Sequence, residues 1–197
     1  QLEDFGNRIP SLSFELIADP GPVEIGTIAV ELGAGSVAAG PTESLLGYAA
    51  SGDSVRGAIE TLCELAPLSL VDEGGQMRLT RAERLPIILA EDEYCDRPQI
   101  VRSPSERIPS EVSLAYHEID RDYQTGLQRA VRARGGTAIV DRLALPAVLS
   151  AGRAKALADS RLADLWTRRV RATVRLGRRR CALRPGDPVR AGMAQRV

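Results

Sequence analysis

Histidine, lysine and aromatic side chains are almost missing from this chain of 197 residues: there is one His, at 117, one Lys, at 155, and aromatics make up 4%. With a single histidine, a His-based metal cluster within the chain is excluded. A Ser-His-Asp triad would have to rest on His117, beside Tyr116 in the middle of a predicted strand. Cys63, Cys95 and Cys181 are odd in number, widely spaced and free of any C-x-x-C pair. Buried reduced thiols are therefore expected, in place of a disulfide framework or a zinc site. No run of about 18 apolar residues is present to span a bilayer, so no membrane anchor is expected. The opening Gln1-Leu2-Glu3-Asp4 carries no initiator Met, basic n-region or apolar h-region, and the chain is expected to be an excerpt of a longer protein.

Catalytic signatures are missing too. There is no G-x-x-x-x-G-K-S/T loop, no H-E-x-x-H and no G-x-S-x-G. Gly33-Ala34-Gly35 lacks the following glycine of a dinucleotide turn, and Glu91, Asp92, Glu93 and Asp96 lack the spacing of an EF-hand loop. The sequence thus gives no ground to expect a catalytic residue, a cofactor or a metal.

What is present is an ordinary globular balance, 44% hydrophobic and 26% charged, in a chain long enough for one large domain or two small ones. The charge is unevenly placed. Residues 1–98 hold 17 acidic and 6 basic side chains and residues 99–197 hold 9 and 20, giving −11 and +11 around a net charge of zero. A basic half of this kind meets nucleic acid or an acidic partner, or faces the acidic half of its own or a neighbouring copy.

Apolar periodicity divides the chain into elements. A strand is predicted from Ile9 to Ala18, closed by Asp19-Pro20-Gly21-Pro22, then a short helix through Ile25, Ile28, Ala29 and Leu32. Gly33 to Pro41 reads as a small-residue loop and Leu45 to Ala50 as a short extended piece. A helix capped by Asp53 or Ser54 carries Val55, Ile59, Leu62 and Leu65 on one face and ends at Pro67. The strands at 68–71 and 76–80 form a hairpin around Gly74-Gly75. Residues 83 to 106, with Pro86, Pro98 and Pro104, read as an irregular connector. Strands are predicted at Glu111 to Glu118, Tyr123 to Arg134 and Thr137 to Leu145. A helix follows from Ser150 to Trp166, with Ala154, Leu157, Ala158, Leu162 and Leu165 on its apolar face.

Arg-Ile-Pro-Ser occurs twice, at 8–11 and 107–110, each time ahead of alternating side chains. Proline suits a strand entry, because it fixes φ and gives up a ladder donor where least is lost. A four-residue match also arises by chance in a chain of this length. Beyond Thr167 the period returns to two, with Val170, Ala172, Val174 and Leu176 on one face and Arg169, Arg171, Thr173 and Arg175 on the other. With Arg178 and Arg180 these arginines make a candidate interaction face, against the simpler reading of a solvated strand face.

Taken in order, Phe5-Gly-Asn-Arg-Ile-Pro-Ser-Leu-Ser-Phe-Glu, Gly47-Tyr48, Ser54-Val-Arg-Gly-Ala-Ile-Glu-Thr-Leu and Gly74-Gly-Gln-Met-Arg-Leu resemble the tail-protein domain of the baseplate hub in gene transfer agents and related siphophage tails. Pro109-Ser-Glu-Val-Ser-Leu-Ala-Tyr, Asp120-Arg-Asp-Tyr-Gln-Thr-Gly and Leu183-Arg-Pro-Gly-Asp, with Val189 two residues beyond, continue the resemblance into the second half. The resemblance implies an α+β fold: a mainly antiparallel, tail-tube-like β-barrel from residues 1–20 plus 101–197, with one helix near 150–166. It is interrupted by a helix-strand-helix-hairpin insertion at 21–100, and the two Arg-Ile-Pro-Ser strands would then be two entries to one barrel. It also implies a homotrimer at the end of the tail tube, holding distal tail and other baseplate proteins around a channel through which DNA passes without specific binding. Two other readings stand beside it, a nucleic-acid-binding module using the Arg-rich C-terminal strands and a fragment of a cell-wall hydrolase.

Overall fold

The computed structural model describes residues 21–40, 42–51, 53–81, 85–132, 139–178, 183 and 187–191. The predicted strand at Ile9 to Ala18 and the first Arg-Ile-Pro-Ser segment lie outside the described residues.

The first part is built on a hairpin. β1 (Val23–Glu24) leads into α1 (Ile25–Leu32), which buries Ile25 and Ala29 at helical spacing, with Ile28 and Leu32 half-buried beside them. β2 (Val37–Ala39) and β3 (Ser44–Leu45) follow, then α2 (Val55–Cys63). Ser54 caps α2, its Oγ accepting from the Gly57 N–H at 3.1 Å. Ala58, Ile59 and Leu62 are buried, whereas Val55 is exposed against expectation, because the first turn of the helix runs past the core. The helix stops at Cys63, ahead of Pro67.

β4 (Leu68–Glu73) and β5 (Gln76–Arg81) pair antiparallel around Gly74 and Gly75, whose φ values of +67° and +92° suit a primed two-residue turn. β2 adds to the free edge of β5 in parallel, with Val37 opposite Met77. The expected small-residue loop at 33–41 is thus corrected: its centre is a strand. Three residues without alternation leave no periodic signal, and pairing with β5 decides their state.

β6 (Ile87–Leu89) and β7 (Gln99–Arg102) come next, with 3₁₀ turns at Glu91–Glu93 and Ser105–Arg107. The predicted irregular connector therefore holds two strands. Pro86 and Pro98 sit one residue before these strands, where the missing N–H costs little, so the prolines mark strand entries instead of forbidding strands.

β8 (Glu111–Glu118) is the centre of the second sheet, between β9 (Thr125–Val131) and β10 (Val140–Leu149). Its alternation is as predicted, with Val112, Leu114 and Tyr116 buried. The second Arg-Ile-Pro-Ser segment feeds into it. Ile108 is buried, the Ser110 N–H donates to the Ile139 carbonyl, and the Ser110 carbonyl accepts from the Arg132 N–H. Tyr123, expected to open β9, instead sits with Asp122 in the left-handed region at φ +59° and +57°, so it belongs to the turn. β10 runs parallel to β8 and its register shifts between Ala144 and Val148, at Pro146. Residues 47–49 enter at that shift: the Ala49 N–H donates to the Pro146 carbonyl at 2.8 Å, and the Val148 N–H to the Gly47 carbonyl at 2.9 Å. The break in register at Pro146 thus lets residues 47–49 pair with β10.

α3 (Ala151–Thr167) packs across β8 and β9, capped by Ser150 Oγ and burying Ala154, Ala158, Leu162 and Trp166. Its arginines fasten it to both parts. Arg153 Nη2 meets Glu43 Oε2 at 3.0 Å, and Arg161 Nε donates to Asp141 Oδ2 at 2.6 Å while Nη1 meets Glu64 Oε2. One hydrophobic cluster runs from Ile25 and Leu79 through Leu45 to Tyr116 and Trp166. β11 (Val170–Thr173) and β12 (Val189–Ala191) complete the described elements.

The fold is mixed α+β and mostly strands, as the alternation predicted. Four ladders are antiparallel and three parallel, spread over five small sheets, and among the described residues these do not close into a barrel.

Candidate assembly surface

Beside the two three-stranded sheets lie two ribbons of two strands each, β7–β11 and β6–β12. β7 pairs antiparallel with β11, Ile100 opposite Ala172 and Val101 opposite Arg171, and β6 pairs in parallel with β12. The first ribbon is extended by the Tyr94–Leu176 bridge. All eight residues of β7 and β11 are exposed. Ile88 is 68% and Ile100 55% exposed, with Val101, Val170 and Val189 also uncovered. A two-stranded ribbon cannot bury a face against itself. Apolar side chains on such strands gain free energy when another surface covers them, roughly 25 cal/mol per Å². The alternation predicted beyond Thr167 is therefore real in β11, but neither face of it is buried.

The predicted arginine face divides. Arg171 is exposed on β11, next to Val101. Arg175 is tied to Asp96, Nη1 to Oδ2 at 3.2 Å, and Arg178 is engaged as well. Arg180 lies outside the described residues. Arg169, one residue ahead of β11, turns instead toward Trp166, its guanidinium carbon 5.5 Å from the ring centroid.

That turn brings Arg169 into a different group. Arg132, which follows β9, stacks over the same indole at 4.0 Å, and Arg102 ends β7 beside them. Arg102, Arg132, Arg169, Ala163, Thr167 and Val170 line with Trp166 an open surface hollow of about 520 Å³. The indole is held from behind, its Nε1–H donating to the Pro109 carbonyl at 3.0 Å. Arg102 and Arg132 have no local signal in the sequence, since they are far apart along the chain. The lone tryptophan was the residue that could have pointed to them.

The other candidate residues have structural duties or open surroundings. His117 is exposed on β8, with Nδ1 3.1 Å from the Tyr123 carbonyl. In the acidic stretch, Glu93 Oε2 accepts from the Ala90 N–H at 2.9 Å, closing the turn in which it sits. Among the described residues no group of three or more His, Cys, Asp or Glu is placed to hold a metal, and no helix is long and apolar enough to cross a membrane.

Comparison with known proteins decides the family. The profile of the family described as "Putative phage tail protein" matches residues 54–196, from the cap of α2 past the end of β12. The chain belongs to this phage tail family. As a member it is a component of a phage or phage-like tail, and the resemblance read from its motifs is borne out. Three solved structures are similar to it in fold. A chain in the virion of a native gene transfer agent particle aligns with a TM-score of 0.79 at 21% identity, covering 88% of this chain and 42% of that one. The tail protein from Neisseria meningitidis MC58 aligns at 0.56 with 15% identity, over 87% of this chain and 57% of that one. The 43 kDa tail protein of prophage MuSo2 from Shewanella oneidensis aligns at 0.55 with 13% identity, over 87% and 56%. The chain thus spans about half the length of these structures or less. Comparison with curated protein sequences finds no match.

Proposed function

We propose that this chain is a structural module of a tail baseplate hub, forming the end of the tail-tube channel and a platform for fibres or cell-wall-penetrating parts. The observation that carries this reading is the ribbon β7–β11, exposed at all eight residues, in a member of a phage tail family. A short ribbon with uncovered apolar side chains is what a subunit needs if its sheets are completed by neighbours. In this reading three copies surround an axial channel. Residues 1–20 and 101–197 make the tube-like barrel, residues 21–100 are inserted into it, and the barrel is completed on assembly. DNA passes along the channel without specific binding, other tail proteins dock outside, and no catalytic step is involved.

Electron microscopy of assembled particles tests the reading. Three copies of the chain around an axial channel at the tail end are expected, and a chain absent from tails would overturn it. Zymography of the purified chain on peptidoglycan is expected to show no clearing, and a cleared zone would favour a hydrolase fragment.

A further inference from the structure

We propose that the hollow walled by Arg102, Arg132 and Arg169 over Trp166 is a docking site for an acidic segment of a partner polypeptide, one that presents two or more neighbouring carboxylates. Three elements distant in the sequence place their guanidiniums there: the end of β7, the residue after β9, and the junction of α3 with β11. None of the three has a carboxylate partner among the described residues, although arginines elsewhere do, such as Arg153 with Glu43, Arg161 with Asp141 and Glu64, and Arg175 with Asp96. Gathering like charges around one hollow is unfavourable until an anion enters, and then each planar fork can bind a carboxylate through two parallel N–H groups. Part of the site is set in advance: the indole is fixed to Pro109 and Arg132 is stacked on its face, so that donor is held before a partner arrives.

The same features weigh against nucleic acid. A single-strand site offers bases an open aromatic face, but Trp166 is 9% exposed and Arg132 covers its ring. A phosphate backbone also needs a track of free cations. The row that could have supplied one is interrupted where Arg175 pairs with Asp96 and Arg178 is engaged. What remains is a local concentration of positive charge around an aromatic anchor in an open hollow, the composition of a protein–protein hot spot. This argument stands on the hollow alone and does not depend on the hub reading.

Trp166 is the single tryptophan of the chain, so its emission reports on the hollow. The experiment titrates the purified chain at low salt with a blocked hexapeptide alternating Glu and Asp. A Gln/Asn peptide of the same length, inorganic phosphate and a single-stranded oligodeoxynucleotide are titrated in parallel. The acidic peptide is expected to shift the emission saturably and at lower concentration than the other three probes. Arg102→Gln is expected to weaken it at least tenfold, whereas Arg56→Gln, on an exposed pair with Glu60 in α2, leaves it unchanged. Arg102 does not stack on the indole, so this variant keeps the support of the ring, and Arg102→Lys should recover part of the loss by restoring charge without the fork. An emission that no probe moves, an oligonucleotide or phosphate that binds as tightly as the acidic peptide, or Arg102→Gln binding like the parent would each overturn the proposal.

Discussion

Gly126 lies directly opposite Tyr116 across the β8–β9 ladder, and the phenol ring covers it so closely that an added Cβ would stand 2.6 Å from Tyr116 Cζ. The ring is buried at the centre of the second sheet, where neighbours on all sides limit its movement. Gly126→Ala is therefore expected to lower the unfolding free energy by about 1–3 kcal/mol through overpacking. Urea denaturation of the two proteins measures it, and equal midpoints would mean that the ring moves aside freely.

The hydroxyl of the same tyrosine is buried without a hydrogen-bond partner among the described residues. Burying a hydroxyl without a bond costs about 1–3 kcal/mol, and removing it leaves the apolar ring in place. Tyr116→Phe should accordingly raise stability by about 1 kcal/mol. A loss of stability in the same denaturation assay would show that the hydroxyl is bonded after all.

These two residues also show what could be read in advance. Val112, Leu114 and Tyr116 alternate with polar or small neighbours, so β8 was legible, as were α3 from Ser150 and its apolar stripe and the hairpin from Gly74-Gly75. All three are short-range signals. The parallel pairings of β2 with β5 and of β6 with β12 join distant segments, and Val37-Ala-Ala carries no pattern that announces its partner. The Trp166 hollow was hidden for the same reason. Arg169 was among the expected arginines, but its neighbours Arg102 and Arg132 are set by the ends of other strands. In the row itself, spacing predicted one face, whereas the ion pair with Asp96 and the stacking on Trp166 take Arg175 and Arg169 to separate places.

Arg161 joins three elements through two carboxylates. Burial disfavours its charge, but the hydrogen bond to Asp141 and the attraction of Glu64 and Asp141 outweigh this and raise its pKa. The side chain is 29% exposed, so solvent screens the pairs in part. Arg161→Met is expected to destabilise by about 1–2 kcal/mol, mostly because the half-buried Asp141 loses its partner. Asp141→Asn should cost less, and the double variant should fall short of the sum of the two. Additive losses in that cycle would mean that the contact with Asp141 contributes nothing of its own.

Cys63 and Cys95 should differ sharply in reactivity. Cys63 is half-buried at the end of α2, where desolvation, then the negative charges of Glu60 and Glu64, push its thiol pKa up to about 11, while Cys95 is exposed. The thiolate is the reacting species, so at neutral pH a thiol reagent should label Cys95 well before Cys63. Mass mapping of the labelled peptides would distinguish the two from Cys181. Labelling of Cys63 should accelerate as pH rises toward 11, or at neutral pH once denaturant unfolds the chain. The sign for stability follows from the same shift. Between the ordinary thiol pKa near 9.0 and about 11 the folded state holds a proton that the unfolded state has released. Stability from this group is thus complete below that window and declines as pH rises through it. Cys63→Ala should remove that part of the alkaline decline, and equal rates of labelling at the two cysteines of the folded chain at pH 7 would contradict the assignment.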